Sequence, residues 1–138
     1  SYEPNDTNTT AFPILMNTNY STYIGSASDV DFYTYQAVHT GIDELTLTVP
    51  SGKNYDVYIY DQNMKFLASG LGTTGDTEKV IFKVSQGQRI YVKVVGVNGH
   101  YSTTATYTLR VSQYSLNTTI QYQYDNNGNL IGSIIMSN

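Results

Sequence analysis

At 138 residues the chain has room for one domain built on one sheet-on-sheet core. Its 40% hydrophobic content falls in alternating runs, which excludes disorder, and the absence of cysteine excludes a disulfide framework. A formal net charge of −4 gives no basic surface for nucleic acid, and no apolar run reaches the length of a membrane helix, so neither nucleic acid nor membrane is an expected partner.

Fourteen tyrosines against four phenylalanines and no tryptophan favour strands whose rings lie half in water. Tyrosine combines an apolar ring with a polar tip. With only 13% of residues charged, the composition reads as an extracellular all-β module, secreted or at a cell surface, rather than a cytosolic enzyme. Ser1 is not a natural start, so the chain is expected to be part of a larger protein and to have its other domains as neighbours.

The first nineteen residues read as a polar arm whose apolar anchor is Ala11 to Met16, with Pro13 arguing against a helix. Strands are expected at Ser21 to Ser26, Phe32 to Ala37, Glu44 to Val49, Tyr55 to Tyr60, Glu78 to Val84, Arg89 to Val95 and Thr106 to Val111. A shorter strand is expected at Phe66 to Ser69. Their side chains alternate with a period of two. This turns Tyr33, Tyr35 and Ala37 inward, and likewise Leu45, Leu47 and Val49; Tyr55, Val57 and Ile59; Val80, Phe82 and Val84; Ile90, Val92 and Val94; and Tyr107, Leu109 and Val111. Pro50-Ser51-Gly52, the three-glycine stretch Gly70 to Asp76, Gln86-Gly87 and Asn98-Gly99 mark turns. Short strands between turn signals, with no amphipathic helix, predict an all-β, antiparallel, jelly-roll-like β-sandwich over residues 1–113. Residues 114–138 then predict a C-terminal β-hairpin, with Ile120 to Tyr124 and Leu130 to Met136 flanking Asp125-Asn126-Asn127-Gly128-Asn129. An isolated hairpin is marginal in water, so this one is expected to pack on the sandwich or to lead into a following region.

Two stretches concentrate oxygen donors. Glu3-Pro4-Asn5-Asp6 opens the chain, and Ser28-Asp29-Val30-Asp31 leads into the strand that begins at Phe32. Glu3, Asn5, Asp6, Ser28, Asp29 and Asp31 together offer the carboxylate, amide and hydroxyl oxygens that Ca²⁺ takes in shells of six to eight. With no cysteine, and no histidine near either stretch, zinc and copper are poor fits. The plainer alternative is that Asn5 and Asp6 cap a turn and the two later aspartates are solvated. The same alternation sends Tyr58, Tyr60, Arg89, Tyr91 and Lys93 outward. On neighbouring strands these would make a flat platform of rings edged with cations, suited to a collagen-like protein or a polysaccharide. The alternative is ordinary strand surface. No catalytic constellation is visible: His39 and His100 sit near glycine turns and read as surface loop residues.

Glu3-Pro4-Asn5-Asp6, Gly25 and Asp29-Val30-Asp31-Phe32-Tyr33, followed by Tyr55 to Asp61, Gly87 to Val94 and Ala105 to Val111, resemble the bacterial prepeptidase C-terminal domain. The collagen-binding domains of clostridial collagenases belong to that group. The resemblance covers Tyr2 to Gln113. It implies a calcium-binding, noncatalytic accessory domain, with calcium at the positions matching the two acidic stretches, that serves adhesion or substrate targeting for a larger secreted polypeptide. The relatives carry tyrosines near the end of the strand matching Arg89 to Val95, where this chain has Val95, Gly96 and Val97. Tyr124 to Leu130 is similar to one unit of the tyrosine-aspartate repeats of large bacterial surface proteins. A carbohydrate-binding module and a calcium-stabilised structural spacer are the competing readings.

Overall fold

The computed structural model describes residues 2–115, 117–124, 126–128 and 130–137, the strands 117–124 and 130–137 by their backbone. Nine strands among the described residues build a sandwich: β1 (Phe12–Pro13), β2 (Tyr20–Thr22), β3 (Val30–Gln36), β4 (Gly41–Thr48), β5 (Tyr55–Tyr60), β6 (Phe66–Gly70), β7 (Glu78–Val84), β8 (Arg89–Gly96) and β9 (Tyr107–Gln113). They form two sheets, ordered β1-β3-β8-β5-β6 and β2-β9-β4-β7. From β2 to β9 the chain changes sheet at every connection except the β5–β6 hairpin. That alternation is a jelly roll, as the turn spacing predicts.

The alternating pattern is borne out at every inward position. All eighteen residues assigned to the core face are buried, from Tyr33 on β3 to Val111 on β9. Each fully buried aliphatic side chain contributes about 1.5–3 kcal/mol of transfer free energy, so the period-two runs dominate the stability of the fold. Ile14 and Ile24 complete the cluster from outside the regular strands.

Three local expectations are corrected. The strand expected over Ser21 to Ser26 stops at Thr22. Beyond it the Gly25 amide donates to the Asp29 carboxylate at 2.5 Å instead of to a neighbouring strand, and the Asp29 amide closes a turn on the Ser26 carbonyl. Phe12–Pro13, read as part of an arm, is a short strand lying parallel to Tyr33–Thr34. Proline is tolerated there because β1 is an edge, where a missing N–H removes no ladder bond. The arm itself has a second apolar anchor. The Tyr2 ring packs on Phe12 with centroids 4.6 Å apart, on Tyr20 at 5.8 Å and on Tyr33 at 6.2 Å.

The expected hairpin is present as β10 (Asn117–Tyr124) paired antiparallel with β11 (Leu130–Ser137), closed at Tyr124 and Leu130. Its expected packing on the sandwich and the repeat-like character of Tyr124 to Leu130 concern side chains outside the described residues. No helix among the described residues is long and apolar enough to cross a membrane.

Candidate metal centre and the tyrosine face

The arm reaches the start of β3 through its backbone. The Phe32 amide donates to the Asn5 carbonyl at 2.7 Å, and the Asn5 amide donates to the Glu3 carboxylate at 2.9 Å. With Tyr2 fixed among the rings, this leaves Glu3 beside the two aspartates that flank Val30. The carboxylate oxygens of Glu3, Asp29 and Asp31 lie within 4.8 Å of one another. Unlike the solvated aspartate of the plainer reading, Asp31 is buried, at 1% exposure. It shares the inward phase of Tyr33 and Tyr35, which the alternation already contained.

Behind Asp31 runs a chain of hydroxyls. Tyr107 on β9 donates to the Asp31 carboxylate. Its only proton is used there, so Tyr33 donates in turn to the Tyr107 oxygen at 2.5 Å. Burial pushes the Asp31 carboxyl up to about 7; the Tyr107 bond opposes this, and the charges of Asp29 and Glu3 add to it. Burial also pushes up the hydroxyls of Tyr33, Tyr107 and Tyr55, and the Asp29 charge acts on Tyr55 as well. The sequence gives no sign of this network. Tyr107 is 76 positions from Asp31, and only the pairing of sheets brings them together.

Asn5 is fully buried, and its side-chain oxygen Oδ1 has no hydrogen-bond partner. A buried amide oxygen without a donor costs about 1–3 kcal/mol. Beside three crowded carboxylates, a cation is the natural partner for it. Asp6 and Ser28, both exposed, share a depression of about 510 Å³ with Glu3 and Asp29. All six residues expected at the metal site are thus brought to one end of the sandwich: three carboxylates in mutual reach, an orphaned amide oxygen, and two oxygen donors on the rim. Hard oxygen donors without thiolate or imidazole fit Ca²⁺.

The tyrosine face is laid out by cross-strand register. One row runs Phe32, Lys93, Tyr58 and Ser69, and the next runs Thr34, Tyr91, Tyr60 and Phe66, across β3, β8, β5 and β6. Arg89 stands opposite Gln36 at one end. The Lys93 ammonium lies 5.9 Å from the Tyr58 ring centroid, and the Phe66 ring meets Tyr60 edge-on at 6.4 Å. Tyr58, Tyr60 and Tyr91 are half-buried rather than freely exposed. Phe66, 55% exposed, belongs to the platform and was not anticipated, since register becomes visible only with the pairing. At the end of β8, a Cβ on Gly96 would lie 1.9 Å from the His100 carbonyl oxygen. A tyrosine cannot stand at Gly96 without moving that loop; nothing in the structure explains Val95 and Val97.

Each of the two histidines has a hydrogen-bond partner. His39 Nε2 lies 2.6 Å from Asp43, whose other oxygen accepts from the Tyr35 hydroxyl at 2.7 Å. His100 Nδ1 accepts from the Asn54 amide at 3.0 Å. Both lie in loops, as expected, and are partly buried.

The architecture is that of known bacterial domains. The pre-peptidase C-terminal domain of a collagenase from Bacillus anthracis superposes with a TM-score of 0.60 at 17% identity, over 72% of this chain and 91% of that one. CorA, a surface-associated copper-binding protein of Methylomicrobium album BG8, superposes with a TM-score of 0.57 at 10% identity, over 75% of this chain and 98% of that one. The resemblance noted in the acidic stretches is therefore matched by a shared fold. No protein-family model and no curated protein matches the sequence.

Proposed function

We propose that this chain is a noncatalytic, calcium-binding accessory domain of a secreted or surface protein, which targets that protein to an extracellular ligand through its tyrosine face. The observation that carries the metal assignment is the buried, unpartnered Asn5 oxygen beside the Glu3, Asp29 and Asp31 carboxylates. When bound there, Ca²⁺ supplies the positive charge that lets three carboxylates share one site. Two unit charges 4 Å apart interact by about 1 kcal/mol in bulk water and about 4 kcal/mol at an effective dielectric of about 20. Exposed Glu3 lies toward the first limit and buried Asp31 toward the second. Because Glu3 belongs to the arm and Asp31 to β3, holding the ion also ties the arm to the sandwich. The Tyr58, Tyr60 and Tyr91 rings, with Lys93 and Arg89, offer the flat surface for a collagen-like protein strand.

Melting in excess EDTA and in millimolar CaCl₂ tests the metal. An ion at about 100 times its dissociation constant adds about 2.7 kcal/mol of stability, so the midpoint should rise by several degrees. An unchanged midpoint would remove the calcium site.

A further inference from the structure

Glu3 and Asp29 stand in a wall between two depressions. On one side are Asp6 and Ser28. On the other is a second depression of about 350 Å³, whose remaining lining includes Ser21, Thr22, Tyr23 and Thr106. The two sides differ in chemistry. The first adds a further carboxylate. The second adds hydroxyls and the Tyr23 ring, 42% exposed, and neither lysine nor arginine is among its described lining residues.

We propose that the second depression is a saccharide site, in which a vicinal pair of sugar hydroxyls completes the oxygen shell of the calcium held by Glu3 and Asp29. This rests on the calcium reading above and names the ligand class that the same ion would take. The choice of a neutral polyol follows from the lining. Three carboxylates already exceed the charge of one divalent ion, so a carboxylate or phosphate ligand would add to that excess with no lysine or arginine in the lining to offset it. Hydroxyl oxygens bind a hard cation without adding charge, and the remaining sugar hydroxyls meet Ser21, Thr22 and Thr106. Ser21 is already oriented by its 2.8 Å bond to Thr108. The exposed Tyr23 ring offers an apolar face to the C–H side of a pyranose, as tyrosine does where one ligand surface is apolar and its edge is wet. The site lies apart from the Tyr58–Tyr60–Tyr91 platform: none of those residues lines it.

The test uses the full chain and a panel of methyl glycosides covering trans-diequatorial diols (α-mannoside, α-glucoside) and a cis diol (α-galactoside). Binding is read by saturation-transfer NMR in CaCl₂ and in EDTA, while melting reports calcium separately. At least one glycoside should show transfer in CaCl₂ that vanishes in EDTA. Tyr23→Ala should weaken it by about tenfold or more, and the calcium-induced rise in Tm should survive that substitution. Thr106→Val should weaken sugar binding in the same way and also leave the calcium response intact. If calcium raises Tm but no glycoside shows transfer, or transfer persists in EDTA, or Tyr23→Ala leaves it unchanged, the saccharide site is overturned and the calcium reading stands. If calcium leaves Tm unchanged, both fall.

Discussion

A single hydroxyl, that of Tyr107, is the sole hydrogen bond given to the Asp31 carboxylate from β9, and it also receives the Tyr33 proton. Tyr107→Phe removes that donor and leaves a buried carboxylate and a buried hydroxyl each short of a partner. It should cost about 1–3 kcal/mol in urea unfolding and weaken calcium binding, because Asp31 is no longer oriented. Asp31→Asn should act in the opposite direction in chelator. It removes a buried charge that Asp29 and Glu3 repel, so the apo midpoint should rise while the calcium increment shrinks. A fall in both conditions would show that Asp31 is held as a structural anion, independent of any metal.

At the scale of elements, the arm and the outward face of the β1-β3-β8-β5-β6 sheet make separate predictions. Tyr2 offers no ligand atom, yet its ring holds Glu3 in place against Phe12, Tyr20 and Tyr33. Tyr2→Ala should therefore lower calcium affinity, and proteolysis near Asn8 to Thr10 should then become strongly chelator-dependent. If cleavage there is equally slow in both conditions, β1 pairing alone secures the arm. On the sheet face, Tyr58→Ala, Tyr60→Ala and Tyr91→Ala should each cost about 1 kcal/mol of stability, the span of strand propensity, plus the ring contacts within the rows. Tyr35→Ala should cost about 3–5 kcal/mol, the range for a buried aromatic. Against a triple-helical peptide, loss of a ring that carries binding should weaken affinity by about 2 kcal/mol or more, and normal binding by all three variants would make this face ordinary strand surface. The sequence made these elements legible because alternation is local: all eighteen residues it turned inward, on six strands, are buried. It missed β1, since two residues ending in proline carry no periodic signal, and it overextended β2. There the competing bond from Gly25 to Asp29 decides where the ladder stops. The oxygen-bearing residues of the candidate metal centre were legible by type and spacing, whereas the partners of Tyr107 and Phe66 were not, because they are set by sheet order.

For the whole molecule, the shifted carboxyls set a pH dependence. A group whose folded value is raised contributes stability that is complete below its unfolded value and lost as pH rises through the folded one. For Asp31 the window runs from about 4 to about 7. Burial raises Glu78 and Asp56 and adds in the same direction, while Asp76, held down by its bonds to Thr73, opposes them. In EDTA the midpoint should decline across that window, and the decline should be smaller in Asp31→Asn. In CaCl₂ it should flatten or reverse, since the cation favours the ionised form. Identical profiles with and without calcium would separate Asp31 from the metal.

The hydroxyl chain has a mechanical consequence. Asp31 and Tyr33 belong to one sheet and Tyr107 to the other, so the chain crosses the interior of the sandwich. Apolar layers resist separation but slide past each other at little directional cost, because dispersion contacts have no preferred bearing. Oriented O–H bonds do have one. Sliding the sheets by a fraction of an ångström stretches the Tyr107 bond to Asp31 before any core residue meets water. In the targeting role proposed above, the domain would bear shear of that kind, and the resistance to it is located at the end of the sandwich where the acidic arm meets β3.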